Sequence, residues 1–365
     1  MGAVEFVFAG GGTGGHLYPG LAVADAVRAL CPDARITFFT TTRPLDRQLL
    51  EPTPYGQVPQ PVQPFTWHPL GLPGFLLAWH RSVAAATEYL RRNRVKAVLG
   101  LGGYAAGPAV IAAHRLKIWV TILNPDAVPG RANRYLARRA DLVVLQWDVS
   151  RAHFPPRTYC QTLGCPIRAG FASADGAAGR RHFGLSPDRP TLVVTGASQG
   201  ARTVNRVLMR VWPAFWKRHP EWQLLHLTGA ADEAEVRAAY ERAEVPAQVI
   251  PFTHEMPLAL AAADLVVSRA GASTLAELTA LGRPAILLPY PYHRDRHQHA
   301  NATVLAERGA ALVIEDRIDP EQNEAPLRAA LEDLTAPAVR RQMAAAARTL
   351  GRPRAAEDVA AWLLS

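Results

Sequence analysis

Lysine is nearly missing from this 365-residue chain, cysteine is scarce, and long apolar runs are absent. Only Lys96, Lys117 and Lys217 are lysines, so almost all of the 40 cationic side chains are arginines. The cysteines, Cys31, Cys160 and Cys165, form no Cys-x-x-Cys pair, which excludes a zinc frame or dithiol redox centre of that spacing. So few thiols, odd in number, fit a reducing compartment without structural disulfides. No segment offers the ~18 unbroken apolar residues of a membrane span. The start, Met-Gly-Ala-Val-Glu-Phe-Val-Phe, has neither the basic flank nor the apolar stretch of a signal peptide, so a cytoplasmic protein is expected. Asp-x-Asp occurs nowhere, and no metal chelated through such a pair is expected.

What is present is a globular composition. Apolar residues make up 49% and aromatics 8%, enough for packed cores, and the length suggests two domains. The formal net charge is +9. Arginine offers a planar fork of donors to phosphates and carboxylates, so the excess points to an anionic partner, although a codon preference for Arg and Ala accounts for it equally simply. Nucleic acid is not the expected partner, because the aromatics do not interleave with the basic clusters as stacking platforms would.

Short apolar runs alternate with Ala-rich, helix-like stretches throughout. Val4–Ala9, Ile36–Thr40, Ala97–Leu101, Val120–Leu123 and Leu142–Leu145 read as buried strands of a first series. Thr191–Thr195, Gln223–Leu227, Gln248–Ile250, Leu265–Ser268, Ala285–Pro289 and Ala311–Ile314 read as a second. Alternating βα units predict an α/β chain of two doubly wound, Rossmann-like domains that face a central cleft. Pro52–Pro73 reads as an irregular excursion, and the boundary is expected within Phe154–Gly184, where Pro, Gly, Ala and Ser break the periodicity.

Several loops carry chemistry. Gly10-Gly11-Gly12-Thr13-Gly14-Gly15-His16 lies between a strand and a helix, where backbone N–H groups and the helix dipole favour an anion. It is no Walker loop, since no Gly-Lys-Ser/Thr follows, and the second strand ends at Phe39-Thr40-Thr41-Thr42-Arg43 without the acid of a dinucleotide fingerprint. A second glycine loop, Gly100 to Pro108, and a third, Gly196-Ala197-Ser198-Gln199-Gly200, hold equivalent positions after strands. Read singly, each is also an ordinary strand-to-helix turn. In Arg269-Ala270-Gly271-Ala272-Ser273-Thr274-Leu275-Ala276-Glu277, Ser273 or Thr274 can cap a helix, and Glu277 can close a capping box or accept two ribose hydroxyls. The stretch Pro289 to Asn301 is dense in groups that read sugar hydroxyls, and reads equally as a solvated surface loop.

Together, in this order, these loops, with Gly164-Cys165-Pro166-Ile167-Arg168 and Asp295 to Asn301, resemble the MurG family of bacterial glycosyltransferases, glycosyltransferase family 28 of the GT-B fold. The resemblance spans nearly the whole chain. It implies an inverting hexosyltransferase that moves N-acetylglucosamine from UDP-N-acetylglucosamine to an undecaprenyl-diphosphate-linked acceptor, lipid I, making lipid II for peptidoglycan, with no essential metal or other cofactor. It implies an acceptor-side domain at residues 1–163, a donor domain at 164–340, and a C-terminal helix at about 341–365 packed back on the first. Carried over by position, Thr13, Gly14 and Gly15 approach the donor diphosphate and sugar, and Arg168, Ser198 and Gln199 belong to the same donor site, Arg168 and Ser198 holding the phosphates. Thr253 stands beside the uracil. Ala272, Ser273, Thr274, Leu275, Ala276 and Glu277 line the nucleotide, with Glu277 on the ribose and Gln298 and Asn301 on the sugar. Gly102, Gly103, Tyr104 and Asn124 fall on the acceptor side.

The chain departs from the family where His-Glu-Gln-Asn usually precedes a Pro-Gly turn: it reads Leu123-Asn124-Pro125-Asp126. Histidine as a residue type suits proton acceptance near neutral pH, so His16 is the first choice of general base, and Asp126 the second. The apolar stretch Gly71 to Arg81, followed by Arg91, Arg92, Arg94 and Lys96, reads as a peripheral contact with an anionic membrane at its inner face, or as a buried helix. The departure keeps open a transferase for another lipid or small acceptor, and a sugar-nucleotide-binding protein without turnover.

Overall fold

A computed structural model describes residues 4–64, 68, 71–196, 201–292 and 296–365. The chain forms two units, residues 1–168 with 354–365, and residues 169–353.

In the first unit, chain order runs β1 (Glu5–Ala9), α1 (Gly14–Leu30), β2 (Arg35–Thr40), α2 (Pro44–Leu50), β3 (Gly56–Pro59), α3 (Leu72–Arg92), β4 (Ala97–Gly100), α4 (Gly107–Arg115), β5 (Trp119–Asn124), α5 (Arg131–Leu136), β6 (Leu142–Leu145) and β7 (Cys160–Gln161). The strands form one parallel sheet in the order β3-β2-β1-β4-β5-β6-β7. A parallel sheet covered by helices on both faces needs apolar residues on both, which is why its strands read as unbroken apolar runs. Along β1, Phe6 and Phe8 pack towards α1. Val7 and Ala9 pack on the opposite face against α3 and α4. The acid inside this strand, Glu5, is buried and accepts hydrogen bonds from Thr37 Oγ1 (2.8 Å) and Tyr89 Oη (3.0 Å).

The second unit contains α6 (Gly176–His182), β8 (Thr191–Thr195), α7 (Arg202–Arg218), β9 (Gln223–Leu227), α8 (Glu233–Arg242), β10 (Gln248–Ile250), α9 (Met256–Ala262), β11 (Leu265–Ser268), α10 (Ala272–Leu281), β12 (Ala285–Leu287), α11 (His297–Glu307), β13 (Ala311–Val313), α12 (Pro320–Asp333) and α13 (Pro337–Leu350). Its six parallel strands run β10-β9-β8-β11-β12-β13, the same winding as the first sheet. The core is built from Val204, Val207, Leu208, Val211, Trp212 and Phe215 of α7 against the sheet and Leu327 and Leu331 of α12. The last helix, α14 (Ala355–Leu364), returns to the first unit, where Val359, Ala360 and Leu363 join the core beside Phe6 and Phe8.

The structure differs from the sequence reading in three places. The excursion after Pro52 contains β3, an edge strand with no buried residue among its four, so no apolar pattern announces it. The expected linker contains α6, which Asp175 starts by accepting hydrogen bonds from the N–H groups of Ala177 and Ala178. The division falls after Arg168 rather than after residue 163, and of the C-terminal stretch only residues 354–365 return to the first unit. Helix α13 stays with the second unit because Met343 is buried in that core.

One buried group makes stability depend on pH. His226 of β9 is fully enclosed; its Nδ1 accepts from Tyr240 Oη (3.0 Å) and its Nε2 donates to Asn205 Oδ1 (3.1 Å). Burial pushes its pKa down to about 3, against a smaller upward pull from Asp232. The unfolded chain takes up that proton near pH ~6.5, so stability is complete above this value and is lost as pH falls towards the folded pKa. By pH 5 the loss amounts to about 2 kcal/mol. Urea midpoints measured at about pH 7.5 and about pH 5 are expected to show this loss in the unmodified chain and to lack it in His226→Gln.

Candidate functional site

In the first unit the strand order reverses between β1 and β4, whose last residues, Ala9 and Gly100, are paired. A crevice at the carboxyl ends of the strands opens at such a reversal. Two glycine loops leave the sheet there. Gly12 (φ 83°), Gly102 (φ 101°) and Gly103 (φ 71°) hold conformations that L side chains rarely adopt. A Cβ on Gly10 would stand 2.7 Å from the Cβ of Leu101, so the loops approach at backbone distance.

His16 is half-buried in the first turn of α1. Its Nδ1 lies 3.2 Å from the Gly11 carbonyl and 3.3 Å from Thr13 Oγ1. A carbonyl can only accept, so Nδ1 carries the proton of the neutral ring and Nε2 presents its lone pair. Nε2 forms no hydrogen bond among the described residues. The second glycine loop lies against this ring: a Cβ on Gly103 would come 3.1 Å from His16 Cε1, and one on Gly102 3.4 Å from Nε2. Thr13 and Gly15 are exposed at the helix start and Gly14 is buried. Tyr104, half-buried, opens the 3₁₀ turn that leads into α4.

Arg168 is half-buried in the same unit, its guanidinium 5.0 Å from the ring centroid of Tyr18, half a turn beyond His16. Asn124 is only 2% exposed and turns its amide inward. Its Nδ2 donates to the Asp126 carbonyl (2.9 Å), and its Oδ1 accepts from Asn133 Nδ2 (3.2 Å). The expected acceptor-side Asn124 therefore holds the turn together, whereas Asp126 is half-exposed. Asn133, which also donates to the Leu123 carbonyl (2.9 Å), was not legible in the sequence, because an Asn inside a short helix carries no pattern.

Asp46 escaped the sequence reading too. The end of β2 has no acid, but the next helix supplies one: Asp46 is completely buried and accepts from Gly12 N–H (2.7 Å), Thr41 N–H (3.0 Å) and Thr41 Oγ1 (2.6 Å). Arg43 donates to the Gly12 carbonyl (3.1 Å). The first glycine loop is thus tied to α2 from both sides of Gly12.

The second unit repeats the reversal between β8 and β11, where Thr195 and Ser268 are paired. Ser198 and Gln199, in the loop after β8, and Asp295 lie outside the described residues. After β11, Arg269 turns inward and pairs with the buried Asp316 (2.6 Å). It also donates to Thr203 Oγ1 (2.6 Å) and to the Leu288 carbonyl (2.9 Å). Burial alone would raise the Asp316 pKa, but Thr203, Arg269 and the Ile318 N–H hold it below the usual carboxylate range.

Helix α10 begins at Ala272 with Gly271 as its cap residue, and no side chain caps it, so Ser273 and Thr274 sit inside its first turn instead of capping it. Leu275 and Ala276 are buried; Ala272, Ser273, Thr274 and Glu277 are half-exposed. Gln298 Oε1 accepts from Ala270 N–H (3.3 Å) and Tyr290 N–H (2.9 Å), which turns its NH₂ the other way. Asn301, expected on the sugar, is completely buried and donates to the Ala270 carbonyl (3.4 Å). Its place is beneath the loop. Thr253 is half-exposed, with Oγ1 accepting from Glu255 N–H (2.9 Å). Among the described residues no three His, Cys, Asp or Glu side chains cluster as metal ligands.

The Arg269–Asp316 pair ties the loop after β11 to the loop before α12. Arg269→Met leaves the carboxylate buried without its counter-charge, and urea titration is expected to show a loss of about 3–5 kcal/mol.

Comparison with known proteins matches both halves. Residues 6–145 fit the glycosyltransferase family 28 N-terminal domain and residues 191–359 its C-terminal domain. A UDP-N-acetylglucosamine–N-acetylmuramyl-(pentapeptide) pyrophosphoryl-undecaprenol N-acetylglucosamine transferase from Desulforudis audaxviator is 37% identical over 98% of this chain and 96% of its own length. The protein of the same name from Prosthecochloris aestuarii is 36% identical over 98% and 97%. A crystal structure of MurG from Acinetobacter baumannii superposes with a TM-score of 0.77 at 26% identity, covering 99% of each chain. With matching domains in both units and relatives of this identity along nearly its full length, the chain belongs to glycosyltransferase family 28, in the MurG family.

Proposed function

We propose that the chain is an inverting glycosyltransferase that moves N-acetylglucosamine from UDP-N-acetylglucosamine to undecaprenyl-diphospho-muramoyl-pentapeptide. The carrying observation is the placement of the His16 ring, with Nδ1 3.2 Å from the Gly11 carbonyl and Nε2 beside the second glycine loop, where it can accept a proton. The names of its relatives supply the two substrates. In this reading Nε2 takes the proton of the acceptor hydroxyl as that oxygen bonds to the anomeric carbon, and the bond from that carbon to the diphosphate breaks. UDP leaves with the electron pair, its charge met by Arg168, by Ser198 and by the N–H groups at helix starts.

Glu277, one turn into α10, suits the ribose hydroxyls, with Ala272, Ser273 and Thr274 beside the nucleotide and the Thr253 backbone beside the base. The outward NH₂ of Gln298 suits a sugar hydroxyl, and Asn301 supports the loop that carries it. Gly102, Gly103 and Tyr104 serve the acceptor side. A second reading, another lipid-linked or small acceptor, is favoured by one observation: the Asn124 amide is engaged inside its own turn and leaves acceptor recognition to neighbouring residues such as Asp126.

The membrane side of the proposal rests on α3. None of the helices among the described residues is long and apolar enough to cross a membrane. Yet α3 exposes Leu76 (45%) and Leu77 (52%), and Arg81, Arg91 and Arg92 are exposed along it, with Arg94 and Lys96 following. Apolar insertion beside basic residues is how a peripheral protein holds an anionic surface.

UDP release from UDP-N-acetylglucosamine is expected only with a lipid I analogue; release with other acceptors alone supports the second reading, and binding without release overturns both. His16→Ala is expected to lower kcat about 100-fold or more, while a loss confined to Asp126→Ala transfers the base role to Asp126. Vesicles containing phosphatidylglycerol are expected to float the protein at low salt and phosphatidylcholine vesicles to float less, with Leu76→Glu/Leu77→Glu abolishing flotation. No flotation under any condition counts against the membrane contact.

A further inference from the structure

Asp46 and His16 are linked through a single peptide group. The bond between Gly11 and Gly12 has its carbonyl on His16 Nδ1 (3.2 Å) and its N–H on Asp46 Oδ1 (2.7 Å). We infer that Asp46 is the positioning partner of His16, acting across this peptide to hold the imidazole in the tautomer that leaves Nε2 free to accept a proton.

Each part of the arrangement serves that linkage. Both donors of Thr41, its N–H (3.0 Å) and its hydroxyl (2.6 Å), bind Oδ2, so the carboxylate is oriented with Oδ1 towards Gly12. The carboxylate is wholly buried, where a hydrogen bond to a charged acceptor is stronger than in water. An N–H that donates to a carboxylate polarises its own peptide, and the carbonyl at the other end becomes a better acceptor. That carbonyl is the one facing Nδ1. Position 11 must be glycine for this approach, because a Cβ there would run into Asp46 Oδ2. Gly12, with φ 83°, turns its own carbonyl away to Arg43.

In a Ser-His-Asp triad the carboxylate touches the imidazole, orients it and stabilises the imidazolium without taking its proton. Here a peptide stands between the two, and the division of labour is the same. When Nε2 accepts a proton from the acceptor hydroxyl, the positive charge spreads to Nδ1–H, and the polarised carbonyl backed by the buried carboxylate meets it. No proton reaches Asp46. The effect on rate rests on His16 being the base proposed above; the effect on the tautomer does not.

The test combines ¹⁵N-labelled histidine spectra with steady-state kinetics on the full chain. The unmodified protein is expected to show His16 protonated at Nδ1 when neutral, and a spectrum with Nε2 protonated overturns the inference before any variant is made. Asp46→Asn is expected to shift His16 towards the Nε2–H form and to lower kcat about tenfold or more, with both KM values within about twofold. An unchanged near-ultraviolet circular dichroism spectrum, to which the first unit's buried Phe6, Phe8, Phe38 and Phe39 contribute, checks that the variant is folded. An unchanged tautomer together with kcat within about twofold overturns the inference. If His16→Ala keeps its kcat, the general-base reading fails, and the tautomer in Asp46→Asn then decides the linkage alone.

Discussion

The parallel pairing of β1 with β4 sets most of what the first unit can do. Winding proceeds outward from β1 in both directions, so the strand that follows three others in sequence ends directly beside the first. Two loops far apart in the chain are thereby forced to share one small space. Only backbone fits between them, and glycine at Gly10, Gly102 and Gly103 is the result of that crowding as much as of any ligand. The imidazole of His16 fills the gap that the missing side chains leave. The second unit uses the same winding, with β8 and β11 in the equivalent places.

Around this frame the buried polar groups are each held by several partners, as low dielectric demands. Glu5 joins β2 to α3, Asp46 joins α2 to the first glycine loop, and Arg269 with Asp316 joins the loop after β11 to the start of α12. Glu5 ties strand to helix through side chains alone. The other two ties end on loop backbone, Asp46 on the Gly12 N–H and Arg269 on the Leu288 carbonyl, so stability and loop geometry are carried there by the same hydrogen bonds.

The departure at Leu123 to Asp126 fits this view. Leu123 is buried in the first core, Asn124 closes the turn on itself, and Asn133 of α5 fastens it from beneath. The segment has become an internally satisfied turn with one carboxylate half-exposed at its crest.

Most of the fold was legible in the sequence for one reason: strands of a covered parallel sheet must be apolar on both faces, and Glu5–Ala9 or Leu142–Leu145 can be read no other way. The glycine loops and the family resemblance were likewise visible, because close backbone approach restricts residue type locally. Edge strand β3 and helix α6 were not, since neither buries an apolar face. Nor could the sequence say that Asn301 and Asn124 face inward, that Arg269 pairs with Asp316, or that Asp46 reaches Gly12 from 34 residues away. Those facts depend on which surfaces meet after packing. The sequence by itself determined the two windings and the places where a ligand could approach the backbone. Only the tertiary structure decided which polar side chains are left to meet it, because burial and hydrogen-bond satisfaction are properties of the packed chain.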